Sequence, residues 1–293
     1  MEAKQQIDLL TVISVAVIAY AGLNVAHEIV GHCGMALVMG TKCTILSSTN
    51  IPLATFPPTW KYNIIVAAGS TANFALGLVC LGLLRRAQTH RLPQAVMTST
   101  GPPLTQVVLT SRARPLPRAV LTYFLWLLMA VNLLLASTYI AVAPIIKFGD
   151  SYILIQNLPG QMFWRPAVAL AGAIAWWFSF RLCRIELARL VGIEGREARA
   201  IAWRLVLPAY LTGGVLTVTS ALFSQLDQKI AQLEAAGGTF GLTIWLLLLP
   251  FFLPQIQTAD REPLIIPRRI GWIVVGALTA VIFIGVLGRG IAL

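Results

Sequence analysis

Three side chains in the stretch "NVAHEIVGHCG", residues 24–34, can do chemistry together: His27, Glu28 and His32. Imidazoles bind borderline metals such as zinc, and a carboxylate beside them can draw a proton from water as a general base. The chain holds only three histidines, and two of them lie here, five residues apart. In the common His-Glu-x-x-His arrangement the imidazoles are at i and i+4, about 40° apart around an α-helix. At i and i+5 they lie about 140° apart, too far for one ion. A metal reading therefore demands a local irregularity. One π-bulge absorbs the extra residue and turns His32 back toward His27, and Gly31 eases that distortion. The bland reading keeps both histidines as core residues bonded to polar neighbours such as Asn24.

The surroundings of these residues are fit for lipid. The chain has 293 residues, of which 57% are hydrophobic and 11% charged, more apolar surface than a soluble domain of this size can hide. The expected fold class is an all-α polytopic membrane protein with about seven transmembrane helices, over 9–39, 62–84, 118–146, 166–190, 202–223, 239–257 and 270–291. A short hairpin or loop is expected at 41–60. A broken or re-entrant segment is expected at 147–165, where "KFGDSYILIQNLPGQMFWR" mixes apolar residues with Gly, Asp, Asn and Pro. Residues 85–117 read as an exposed, irregular, Arg-rich loop. Residues 1–165 form the expected core, and 166–293 an accessory four-span region of the same membrane domain.

The net charge of +11 does not point to nucleic acid, because the basic residues sit at the ends of apolar runs without interleaved aromatics. They read as topology signals and lipid contacts. With the N-terminus cytoplasmic, the inner segments hold sixteen of the 22 Lys and Arg residues. The outer ones hold Lys42, Lys61, Lys147, Arg165, Lys229 and Arg289. The first apolar run is too long for a signal-peptide core, so cleavage is not expected. The scattered cysteines Cys33, Cys43, Cys80 and Cys183 read as packing residues. Trp176 and Trp177 are expected to pack between helices, and Asn132 to bond across a helix interface.

Depth selects a third metal ligand. Under the N-inside orientation His27 and His32 lie in the outer half of the first span. Asp150 follows the third span, which runs in the same direction, and is the expected ligand; an N-cap role for a short helix from Ser151 is its bland reading. Glu186, Glu194, Glu197 and His90 fall on the cytoplasmic side. Asp227 and Glu234 read as members of a polar outer loop.

These residues resemble the site-2 protease family of intramembrane zinc metalloproteases. The likeness covers roughly residues 20–160: the His27-Glu28…His32 helix, then "AAGSTANFALGL" with Gly69 and Asn73, then "VNLLLASTYIAVAPIIKFGD" with Asn132, Pro144 and Asp150. The chain departs from that pattern by the inserted residue, by Ser70 where the family has proline, by Gly149-Asp150 in place of Asp-Gly, and by a longer Asn132-to-Asp150 distance. A His-Glu-Leu-Leu-Gly-His zinc site occurs in the soluble dipeptidyl peptidase III family, a likeness of motif and not of fold. The resemblance implies Zn²⁺ on His27, His32 and Asp150, with Glu28 activating a zinc-bound water. Asn73 would help hold an extended substrate segment. The substrate would be a transmembrane segment of another protein, in the lipid bilayer and open to a regulatory membrane partner. It also implies an active site facing the cytosolic half, whereas the charge bias places it in the outer half. Two other readings stand beside this one: an inactive relative that binds membrane partners, motivated by the departures, and a polytopic ion or proton transporter using the same four polar residues.

Overall fold

The computed structural model describes residues 7–49, 52–55, 57–89, 116–156, 158–255 and 264–293. Among the described residues, seven helices are long and apolar enough to cross a membrane: α1 (Leu9–Val38), α2 (Thr59–Ala87), α3 (Ala119–Ile146), α5 (Gln161–Val191), α6 (Gly195–Leu222), α7 (Gln228–Phe252) and α8 (Ile270–Leu287). The protein is an all-α polytopic membrane protein. Asp8 caps α1 by accepting from the Thr11 N–H at 2.8 Å, which satisfies one of the free donors of the first turn. The short α4 (Asp150–Gln156) lies between α3 and α5. Most of the segment read as an irregular loop at 85–117, from residue 90 to 115, lies outside the described residues; residues 85–89 continue the helix of α2.

α3 is the central helix. In its most apolar stretch 83% of the residues are buried, against 17% for α5 and 11% for α8, so α3 is wrapped by protein while α5 and α8 present their flanks outward. The apolar core gathers Trp126, Tyr123, Met129, Leu133 and Leu134 of α3 with Tyr20 and Leu23 of α1. The polar tips of the aromatics find partners, as they must at this depth. The Trp126 indole N–H donates to the Cys183 carbonyl at 3.1 Å, and the Tyr123 hydroxyl donates to the Leu205 carbonyl at 3.0 Å, tying α3 to α5 and α6. Trp176 packs on Trp245 with ring centroids 4.7 Å apart, whereas Trp177 faces outward beside Arg181, so the two tryptophans divide the roles. Asn132 is fully buried but bonds back to the Leu128 carbonyl of its own helix, not across an interface.

At the far end of α2 and α5, buried Glu186 accepts from Arg189 at 2.7 Å and from Arg85 at 3.3 Å. The carboxylate is thereby paired where burial would otherwise be costly. After α1 the chain makes a compact turn. Residues Ile45–Leu46 (β1) pair antiparallel with Ile291–Ala292 (β2), and Cys43 bridges to Leu53. Cys33 and Cys43 form a disulfide, contrary to the expectation that all four cysteines serve packing. The bond fastens this turn to the end of the segment that carries His27 and His32. Cys80 and Cys183 are free and buried.

Candidate metal centre

The irregularity demanded by the His27–His32 spacing is present, and it is larger than a single bulge. Residues Val25–Cys33 form a π-helix within α1. Its hydrogen bonds skip one more residue than those of an α-helix, as between the Gly34 N–H and the Ile29 carbonyl, so side chains five apart lie on one face. The His27 and His32 rings meet edge to face with centroids 4.8 Å apart.

Glycines let this widened turn sit against α2. A Cβ on Gly31 would lie 2.7 Å from the Gly69 Cα and 2.8 Å from the Ala68 carbonyl oxygen. A Cβ on Gly69 would lie 2.5 Å from His32 Nε2 and 2.9 Å from His27 Cε1. The imidazoles thus occupy the space that any other residue at position 69 would fill.

Asp150 reaches the same point from α4. Gly149 before it has φ 89°, a left-handed conformation suited to glycine, and a Cβ there would run into the Tyr139 ring. This turn brings Asp150 Oδ2 to 3.2 Å from His27 Nε2 and 3.3 Å from His32 Nε2. Neither contact has the direction of a hydrogen bond, and Oδ2 is buried without a hydrogen-bond partner. Donors around a tetrahedral zinc with bonds of about 2.0–2.1 Å stand about 3.3–3.4 Å apart. The carboxylate oxygen therefore stands at a metal-ligand separation from each imidazole nitrogen, and the residues present fit the group. Glu28 is buried beside them, and His27, Glu28 and His32 offer ligand atoms within 4.8 Å of one another. Burial opposes ionisation of Asp150, but the charge of His32 and the contacts with both imidazoles prevail, holding its carboxyl well below the usual carboxylate range.

The imidazoles are oriented from behind. His32 Nδ1 lies 2.9 Å from the Ile65 carbonyl, which can only accept, so Nδ1 carries a hydrogen and Nε2 is the nitrogen that, once it gives up its proton, presents a lone pair to a metal. His27 Nδ1 lies 3.3 Å from Nδ2 of the fully buried Asn73 carboxamide, whose oxygen has no hydrogen-bond partner. Turning that carboxamide so that its oxygen faces Nδ1 gives His27 the same tautomer. Asn73 is thus placed behind His27. Asn24 bonds elsewhere: its amide donates to the Tyr20 carbonyl, and its oxygen accepts from Thr239.

The centre opens into a cavity of about 520 Å³. Its walls come from the π-helical part of α1, from α2, α3 and α4, from the turn at Thr49, Pro52 and Leu53, and from Ile230, Glu234, Gly238 and Thr239 of α7. Glu234 was not legible as a site residue. The run around it is polar and Gly-rich and reads as a loop, whereas α7 begins at Gln228 and a second π-helix spans Glu234–Gly241. The apolar run that signals a span starts only about five residues further on. Glu186, by contrast, is held at the remote end by Arg85 and Arg189, away from the histidines as depth predicts.

No family model, curated protein or solved structure matches the chain.

Proposed function

We propose that this protein is an intramembrane zinc metalloendopeptidase, similar in its site to the site-2 protease family, that cleaves transmembrane segments of other membrane proteins. The observation that carries the reading is the convergence of His27 Nε2 and His32 Nε2 on Asp150 Oδ2 at 3.2 and 3.3 Å with Glu28 adjacent. His27, His32 and Asp150 would hold the metal. Zinc there supplies a Lewis acid that lowers the pKa of a water toward about 7 and polarises a carbonyl. Glu28 takes the proton from the attacking water and delivers it to the leaving amine, so the peptide C–N bond breaks as the new C–O bond forms. Ile65 and Asn73 hold the imidazoles in register, and Asn73, fully buried behind His27, does not line the cavity. The scissile segment must unwind to enter, because a helical peptide bond is hydrogen-bonded and sterically hidden. The turn at Thr49, Pro52 and Leu53 and the short α4, which both line the cavity, are where such a segment would be received.

Two observations support a chamber open to the non-cytosolic face, with the N-terminus cytoplasmic. One is the excess of Lys and Arg on the segments then assigned to the inside. The other is the Cys33–Cys43 disulfide next to His32, a bond that persists in oxidising compartments.

Purified protein assayed for zinc and for cleavage of a transmembrane substrate, with Glu28→Gln in parallel, tests the reading. One zinc per chain with Glu28-dependent cleavage is expected. Zinc without cleavage would favour an inactive partner-binding relative, and proton or ion flux dependent on Glu28 would favour a transporter.

A further inference from the structure

Glu234 is the acidic side chain of the cavity that the mechanism does not use. Its Oε2 is buried with no hydrogen-bond partner. No ion pair reaches it among the described residues, although it interacts electrostatically with Glu28, Asp150 and His32. Its position is built and not incidental. Glu234 opens the second π-helix, and Thr239 of that helix donates to Asn24 Oδ1 at 3.2 Å, clamping it to the base of the His27–His32 turn. Thr243, one turn on, accepts from the Tyr20 hydroxyl at 3.1 Å. Lys147 also lines the cavity but is exposed.

The charges of the chamber leave Glu234 over. A divalent metal is balanced by Asp150 and Glu28. A further carboxylate at membrane depth is costly unless a cation reaches it, and Lys147, the cation lining the chamber, makes no ion pair with Glu234. What enters the chamber is substrate. Resting on the protease reading above, we propose that Glu234 is a specificity residue that receives a Lys or Arg side chain of the substrate segment. Such a charged hydrogen bond, formed away from water, favours a basic residue over a neutral one by about tenfold or more.

The test is binding, so that it stands apart from catalysis. Zinc-loaded Glu28→Gln protein in detergent is titrated with three fluorescent peptides. Each is a Leu/Ala stretch, acetylated and amidated, carrying one central Lys, Gln or Glu. The Lys peptide binds at least about tenfold more tightly than the Gln peptide, and the Glu peptide binds most weakly. Adding Glu234→Gln weakens Lys-peptide binding about tenfold more than Gln-peptide binding while zinc stays at one per chain. Glu234→Lys inverts the order toward the Glu peptide and serves if the Gln variant folds poorly. Equal binding of the Lys and Gln peptides, equal weakening of all three, or loss of zinc from Glu234→Gln overturns the proposal. A wild-type protein that prefers the Lys peptide but cleaves nothing refutes the protease reading and leaves Glu234 as a cation-binding residue.

Discussion

Replacing Gly69 by alanine adds one methyl group and should dismantle the metal centre. The new Cβ would lie 2.5 Å from His32 Nε2, 2.6 Å from His32 Cε1 and 2.9 Å from His27 Cε1. Unstrained contacts between such atoms are about 3.5 Å or longer, so the His32 ring must retreat by about 1 Å and the His27 ring by somewhat less. Metal sites tolerate about 0.2 Å. Disturbing a residue behind a metal ligand typically costs about 10–100-fold in affinity, and moving two ligands directly should cost at least about 100-fold. Overpacking itself costs about 1–3 kcal/mol of stability, so folding must be separated from binding. Two other glycines of α2 provide the controls. A Cβ on Gly82 meets nothing within 4 Å, so Gly82→Ala keeps both zinc and stability. A Cβ on Gly77 would lie 2.7 Å from the Leu133 side chain, so Gly77→Ala should lower the melting temperature yet keep zinc. Zinc affinity by chelator competition and thermal unfolding of the four proteins complete the assay. Wild-type zinc affinity in a folded Gly69→Ala protein would refute the geometry on which the centre rests.

Glu28→Gln should keep zinc and lose about 10²–10⁴-fold in cleavage rate, as measured on a transmembrane reporter with metal content read in parallel. Asn73→Ala should weaken zinc binding about 10–100-fold in the same chelator competition. Reduction of the Cys33–Cys43 bond, or Cys43→Ser, should remove about 2.7 kcal/mol of stability for a sequence separation of 10 residues, read as a lower unfolding temperature. For the metal-free protein, the carboxyl of Asp150 titrates below its usual value of 3.8, so its contribution is complete above that value and is lost as pH falls through the lower native one. On the acid side, the stability gap between wild type and Asp150→Asn should therefore begin to close only as pH falls below the usual carboxyl value of 3.8.

Much of the fold was legible because lipid is a demanding solvent. A helix must stay apolar for about 20 residues to cross it, and all seven crossings announce themselves as apolar runs. The exception at a boundary was instructive. α7 starts at Gln228, well before its apolar run; Ile230, Glu234 and Gly238 of its first turns line the chamber, and so Glu234 was hidden in what reads as a loop. A widened turn between His27 and His32 was legible from spacing, since two histidines five apart can share an ion only on one, but a π-helix running over the whole of Val25–Cys33 was not. Asp150 was legible from depth. Tertiary facts were not. Cys33 and Cys43 have no motif spacing, and their pairing depends on how the chain folds back after α1. Gly69 stood out as a small residue, but its need to be glycine comes from two rings on another helix.

Zinc K-edge absorption spectroscopy of the purified protein, with metal content measured on the same sample, tests the central claim most directly. One zinc per chain in a four-coordinate shell of two imidazoles and oxygen donors at about 2.0–2.1 Å is predicted, with the imidazole signal halved in His32→Ala and the metal lost from a His27→Ala, Asp150→Ala double variant. A protein that binds no zinc, or one whose zinc shell is unchanged in those variants, would contradict the account.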